Sequence, residues 1–420
     1  MKTCFCYVGC YSGAPEPEAL HVLACDPETG AVEDIQTVRG VEGTSYLAID
    51  REGRYLYSIL GDERKRELRG KAVRFALEGG RVGRMEVLAE LPCPAPCHVE
   101  LSPDGRTFSF AAYRAGTAGT LPTDAGTTAG VPSLRVYTFP DDAMGPNKKR
   151  QEKAFAHQTF YVPQLPIANF QPSTSNFQPP TLNPQPSTIN FQPPTLNPQP
   201  STINFQPPTL NPQPSTINQH PFLLGVVDLG CDRIWFFDPA TMKRNEAEEI
   251  TFDPGDGPRH AIWSKDGRFL FVLCELASCV YSFAYDGQAF RRTQRISMLP
   301  DGFNRWNPDG ETLATKAAAI KLTADGKTLL ASNRGHDSIA IYSVNTETGT
   351  LTLRNIAKLS GRSPRDFELM PGDRFVVVGY ELDDALQVYR FDSVDATLTP
   401  AGASLKAWHP VCFKFARRES

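Results

Sequence analysis

Short apolar runs separated by glycine-bearing turns recur along this chain, and that recurrence restricts its fold more than any other feature. The clearest instance is AAAIKLTADGKTLLASNRGHDSIAIYSVNTETGTLTL, residues 317–353. Its apolar runs, Ala319-Ile320, Leu329 to Ala331, Ile339 to Tyr342 and Leu351 to Leu353, are divided by turns at Asp325-Gly326, Gly335-His336-Asp337 and Thr348-Gly349. Four short antiparallel strands are the expected outcome. Asp-Gly is a strong hairpin signal because a type I′ turn needs positive φ at both central residues, which glycine adopts freely and aspartate better than most.

The same pattern returns in IDREGRYLYSI from Ile49, HVELSPDGRTFSFAAY from His98, HAIWSKDGRFLFVLCE from His260 and DFELMPGDRFVVVGYE from Asp366. A spacing of roughly fifty residues is that of four-stranded propeller blades. Residues 3–39 supply a first sheet, and blade two follows with the charged loop GDERKRELRG as a solvated hairpin tip. Blade three runs from Cys97-His98 to SLRVYTF, and its Gly/Thr/Ala-rich stretch 115–130 is read as a flexible surface loop. Blade four is split. Near the C-terminus WHPVCFKF is predicted to pair with the first sheet and close the ring. The fold class is therefore all-β, a seven-bladed β-propeller of four-stranded antiparallel blades, and residues 1–420 form one propeller domain. Blades bury their faces against neighbours and leave few exposed edges.

What splits blade four is a low-complexity tandem-repeat insertion over residues 165–221. Within it NFQPPTLNPQPSTI occurs in three identical copies, after a partial copy at Asn169 to Ser175. Proline every few residues prevents ladder and helix hydrogen bonding, and the remaining polar residues supply little surface to bury. The segment is expected to be disordered and dispensable, because joining Gln164 to Phe222 restores a regular blade with the insertion in its first hairpin turn.

Composition narrows the function. The net charge of −4 without a basic block argues against nucleic acid and against a polybasic membrane anchor. No apolar run approaches the ~18 residues of a membrane span, and Met1-Lys2-Thr3 leads into a strand rather than a signal-peptide core, so a cytoplasmic location is expected. Ten cysteines are too sparse for a disulfide scaffold and lack zinc-ligand spacing. Core thiols and no metal are the expectation.

Propeller geometry gathers distant residues at one rim, because the innermost strand of each blade begins where its hairpin partner ends. Counting from each turn, that rim collects His98, His157, Arg259 and His260, together with Arg365 and Asp366. The partner strands add Tyr113-Arg114, Asp228, Glu275, Asn333-Arg334 and Tyr380-Glu381. Such a mouth suits a small anionic substrate held by guanidinium forks. Asp104, Asp266 and Asp325 are read as turn formers, Asp232 and Arg233 as an inter-strand ion pair, Asp337 as a turn cap and His98 as a structural histidine or a substrate contact. Arg259, Glu275 and Arg334 are costly near an axis unless paired or liganded, so either an ion-pair network or a functional site is implied.

GPRH at Gly257 to His260, Glu275 in CEL, SNRGHDSI at Ser332 to Ile339, SPRDF at Ser363 to Phe367, DLGCDRI at Asp228 to Ile234 and the opening YVGCYSG resemble the lactonase family of seven-bladed propellers. Its members include a bacterial 6-phosphogluconolactonase and a fungal carboxy-muconate lactonising enzyme. The resemblance covers nearly the whole chain outside the insertion and the 115–130 stretch. It implies a site at His157, Arg259, Glu275 and Arg334; Arg365, His260, His98 and Asn333 on the same rim are read as substrate contacts, and no cofactor is expected. The chain departs from the family at Phe155-Ala156-His157, where HPH is frequent, and at Ala319 and Lys321, where an acid and a histidine are. What the resemblance implies is hydrolysis of a sugar lactone such as 6-phosphogluconolactone, with Glu275 or His157 activating water, Arg259 and Arg334 stabilising the oxyanion and Arg365 holding a phosphate. Cycloisomerisation of a carboxylated muconate and a non-catalytic propeller are the alternatives. The working form is expected to be a monomer or weak dimer.

Overall fold

The computed structural model describes residues 3–11, 18–41, 43–61, 69–94, 96–124, 134–141, 144–164 and 222–416. The chain divides into two units, 1–166 with 220–420 and 167–219. The first is the propeller; the predicted insertion at 165–221, most of the charged tip of blade two and residues 125–133 lie outside the described residues. Seven antiparallel sheets of four strands make up the described structure. From the axis outward, blade four has Ala156–Tyr161, Leu224–Asp228, Arg233–Asp238 and Lys243–Thr251, and blade five has Pro258–Trp263, Phe269–Cys274, Cys279–Tyr285 and Phe290–Ser297. Blade six has Lys316–Leu322, Thr328–Arg334, Ser338–Val344 and Leu351–Lys358. The seven innermost strands touch one another in succession around the ring. Closure is made by Pro410–Phe415, which pairs antiparallel with Cys4–Cys10 as the innermost strand of blade one.

The Asp-Gly turns form for the anticipated reason. Asp325 accepts from the Lys327 N–H at 2.9 Å and the Thr323 hydroxyl at 2.7 Å, while Gly326 takes φ +74°. Asp266 repeats this with Ser264 and Arg268. A second repeated turn locks blade to blade. Gly30 (φ +78°) lies against the Phe375 ring of the preceding blade, where an added Cβ would meet it at 2.5 Å, and Gly349 receives Phe269 in the same way. Positive φ and contact with a buried ring thus select glycine twice at each turn. The core lies between blades, as where Cys4, Cys6 and Val8 pack on Phe375 and Val377. All ten cysteines are buried and unpaired by disulfides.

Two expectations are corrected here. Part of the stretch read as a surface loop in blade three is a strand, Thr117–Pro122, paired on both sides. Its Gly/Ala/Thr composition hid it because the ring of Phe110 occupies the space that a Cβ on Gly119 would need, approaching to 2.7 Å. Nor do Asp232 and Arg233 pair with each other. Asp232 accepts from the Gly255 and Gly257 N–H groups, each at 2.7 Å, and Arg233 pairs with Glu249 at 2.7 Å. Asp232 has φ +51°, the left-handed geometry that turns its carboxylate toward the neighbouring loop.

Candidate active site

Irregularities in the innermost strands place the site. The ladder register shifts at His157 in blade four, between Ala156 and Gln158, and at Arg259 in blade five, between Pro258 and His260. In blade seven (Pro364–Leu369, Phe375–Tyr380, Ala385–Asp392, Thr397–Lys406) it shifts at Arg365, between Pro364 and Asp366. A bulge bends its strand and re-aims the extra residue. Glu275 follows directly on the second strand of blade five and is held by its N–H to the Gly257 carbonyl at 2.7 Å; Arg334 ends the second strand of blade six.

Glu275 is the centre of the arrangement. It is 3% exposed, and its Oε1 accepts from Arg150 Nη2 at 2.6 Å. Its Oε2 accepts from Arg259 Nε at 3.0 Å and lies 2.9 Å from Arg334 Nη2. Burial pushes the carboxyl pKa up, but Arg334, Arg150 and Arg259 outweigh it and hold the group well below the usual carboxylate range. Arg259, itself 3% exposed, donates to the Ala318 carbonyl and lies about 3 Å from both ring nitrogens of His260. Burial, and secondarily Arg334, pull its pKa down to about 10, which leaves it charged at neutrality. Arg334 also donates to the Ala317 carbonyl at 2.9 Å.

His157 lies beside this cluster, and its buried Nδ1 makes no hydrogen bond. Burial, then the charge of Arg259, holds its pKa well below 6.5, so the imidazole is neutral at pH 7. Its ring is 5.3 Å from Tyr113 and 5.2 Å from His260. The row of rings continues inward through His98, 6.1 Å from His260, to Tyr46, 4.1 Å from His98. Beyond His260 an axial cavity of about 240 Å³ is lined by Tyr46, Gln158, Lys321, Asp366, Glu368 and Lys414 among others. A larger cavity, about 620 Å³, lies around Asp50, Glu100 and Asp104 at the other ends of the innermost strands and contains none of the residues around Glu275.

The remaining candidates separate by position. Arg365 donates to the Tyr11 hydroxyl, lies 4.9 Å over the Tyr11 ring and is 3.5 Å from Glu381. Asn333 is fully buried, and its Oδ1 accepts from Thr315 at 2.8 Å and Ser278 at 3.2 Å, so it orders the rim from beneath. Asp228 does likewise for the backbone before His157, accepting from the Phe155, Gly230 and Cys231 N–H groups. Asp337 caps its turn by accepting from the Gly335 N–H at 3.0 Å. Arg114 does not join the rim: its side chain is exposed, while Tyr113 stacks on Phe155 at 4.4 Å.

Sequence reasoning missed Arg150. It comes from the loop before blade four, in a KKRQEK run that reads as a solvated charge cluster. The fold of that loop changes its meaning, because buried Gln151 donates to the Leu229 carbonyl at 2.9 Å and accepts from the Asn147 N–H at 3.1 Å. Arg150 is thereby directed to Glu275 and donates also to the Tyr113 hydroxyl at 3.1 Å.

A seven-bladed ring with a buried Arg-Glu-His cluster at one mouth defines the class, and a family model described as lactonase, seven-bladed β-propeller, matches residues 5–167 and 214–415. The chain belongs to the lactonase family of seven-bladed β-propellers. It is 24% identical over 414 residues to the 6-phosphogluconolactonase of Bacillus subtilis, with 97% of each chain covered. An uncharacterized protein of Staphylococcus saprophyticus is 25% identical over 414 residues, covering 98% of this chain and 99% of that one. Among solved structures, the periplasmic gluconolactonase PpgL of Pseudomonas aeruginosa superposes with a TM-score of 0.75 at 22% identity and covers 99% of each chain, a likeness of fold.

Proposed function

We propose that this protein hydrolyses a sugar lactone, 6-phosphogluconolactone before others, at the mouth around Glu275. The observation that carries the reading is the convergence of Arg150, Arg259 and Arg334 on one buried carboxylate beside a neutral histidine. Similarity to the Bacillus 6-phosphogluconolactonase supports the substrate class. A lactone carbonyl under attack gathers negative charge on oxygen, and cations held in place beforehand stabilise that charge without reorganising. Glu275 keeps the guanidinium groups apart and oriented.

Between the two candidate bases, hydrogen-bond occupancy favours His157. Nearby cations weaken both groups as bases, but both oxygens of Glu275 are occupied by guanidinium groups, whereas the imidazole of His157 keeps a nitrogen without a hydrogen bond that can take a proton from water. In the proposed step the water oxygen bonds to the carbonyl carbon as its proton passes to His157. The ring C–O bond then breaks, and the proton moves from His157 to the departing alkoxide. Arg259 and Arg334 face the oxyanion, Arg365 helps to hold the phosphate, and His260 and His98 form the floor. The partner in this reading is a small anion.

The test is acid release from freshly made 6-phosphogluconolactone above the spontaneous rate, beside gluconolactone and a carboxy-muconate. Preference for the phosphorylated lactone, declining as salt screens the arginines, is the expected result. Turnover of the muconate alone would replace hydrolysis by cycloisomerisation, and no turnover of any of the three would leave a non-catalytic propeller.

A further inference from the structure

We propose that Lys316 forms a subsite for a phosphate monoester dianion at the edge of the Glu275 cluster and sets the preference for phosphorylated over unphosphorylated substrate. The proposal deepens the lactonase reading and rests on it.

Lys316 opens the innermost strand of blade six and sits directly opposite Arg334 in the ladder. Its backbone is anchored on both sides. The Thr315 hydroxyl, wholly buried, lies 2.8 Å from Asn333 Oδ1 and 3.1 Å from the Arg334 carbonyl, and the Ala317 N–H donates to the Glu275 carbonyl at 3.1 Å. What this backbone carries is a half-buried ammonium group that makes no hydrogen bond or ion pair with any described residue. Each arginine nearby differs in this respect. Arg150, Arg259 and Arg334 share Glu275, and Arg365 has Glu381.

The charges around Lys316 do not balance. The strongest charges acting on it are, in order, Arg334, Glu275, Arg150 and Arg365, three of them cationic. Even with Glu381 counted against Arg365, the described residues around Glu275 carry more positive than negative charge: Arg150, Arg259 and Arg334 share that one carboxylate. Burial, then Arg334, lowers the Lys316 pKa, so the ammonium is held at a cost in the unliganded protein. Such an arrangement persists in a folded protein when a ligand supplies the missing anion. A monoanionic carboxylate would leave excess charge, whereas a phosphate monoester brings about two negative charges and three acceptor oxygens. A flexible ammonium stem acts as a mobile point charge, suited to a phosphate at the end of a substrate whose carbonyl is fixed by the planar arginine forks.

The decisive variant is Lys316→Met, which keeps the aliphatic stem, with Lys316→Arg as the charge-preserving control. Lys316→Met is expected to reduce the ratio of kcat/KM for 6-phosphogluconolactone to that for gluconolactone by about tenfold to a hundredfold. Lys316→Arg should restore most of the ratio, and neither change should lower Tm, because the residue has no partner to lose among the described residues. Calorimetric titration with 6-phosphogluconate gives an independent readout, with at least tenfold weaker binding to Lys316→Met expected. An unchanged ratio with unchanged phosphogluconate binding would overturn the subsite and leave the lactonase reading standing. Absence of wild-type turnover on both lactones would remove the lactonase reading, and the titration would still decide the anion site: equal affinity of wild type and Lys316→Met, or no binding to either, overturns it.

Discussion

The two ends of the propeller axis both carry buried charge, yet they balance it differently. Toward the axial cavity Lys321 lies 2.8 Å from Glu368 and 3.5 Å from Asp366, acids that despite burial raise its pKa well above the usual lysine value, and Lys414 on the same cavity wall supplies a second cation acting on Asp366. At the Glu275 mouth three arginines share one carboxylate, and Lys316 has no partner among the described residues. Charge near an axis is therefore not in itself a sign of function. A balanced cluster answers to folding, while an unbalanced one asks for a ligand.

Removing the central anion tests this contrast most severely. Glu275→Gln keeps the shape but leaves three guanidinium groups without their counter-charge, so it should abolish measurable lactonase turnover and cost about 3–5 kcal/mol in urea denaturation. Lys321→Met should cost a similar amount by stranding Asp366, yet keep turnover within about threefold. A dead Lys321→Met enzyme that is folded at the assay temperature would erase the distinction between the two ends.

His157→Asn sharpens the assignment within the mouth. Loss of a general base should lower kcat by about 10²- to 10⁴-fold with little change in denaturation midpoint. If this variant is active, the base returns to Glu275. For Arg334→Ala a fall in kcat/KM of about 10²-fold or more is expected, and Arg334→Lys should recover little of it, since an ammonium cannot reproduce the planar fork. Near-complete rescue by lysine would mean that charge alone is used there.

A smaller effect is expected from pH. Burial, with nearby cations, holds the pKa of His98, His157 and His260 well below 6.5. The unfolded chain then binds protons first as pH drops, so their contribution is complete above about pH 6.5 and is lost below it, at up to about 1.4 kcal/mol per pH unit for each histidine. Glu275, also depressed, adds a further loss below about pH 4.5. Denaturation curves at pH 7, 6 and 5 should show stability falling, with a shallower slope for His98→Phe; a flat profile would contradict neutral burial. The mildest change should follow deletion of residues 165–221. Val162 donates to the Leu223 carbonyl at 2.9 Å and Tyr161 pairs with Leu224, so the flanking strands already meet. A Tm shift of a few degrees is expected, and collapse of the shortened chain in a thermal melt would show that the segment supports the ring.

Sequence alone determined the blades, because alternation of apolar residues and Asp-Gly turns are properties of neighbouring residues. It also brought His157, Arg259, Glu275, Arg334 and Arg365 to one mouth, since strand direction decides where each strand begins and ends. Tertiary structure alone decided which partners those residues take. Arg150 and Glu275 are 125 residues apart, and no local pattern links a charged loop to a distant carboxylate. The third strand of blade three was hidden because the Phe110 ring and the Arg135 carbonyl take the space that a side chain at Gly119 would fill, and Asp232 turned from Arg233 to the Gly255 loop, its backbone left-handed. Lys316 is the sharpest case. In sequence it is one lysine among many, and only its position opposite Arg334, in a mouth already short of anions, sets it apart: electrostatic imbalance is a property of what surrounds a charge.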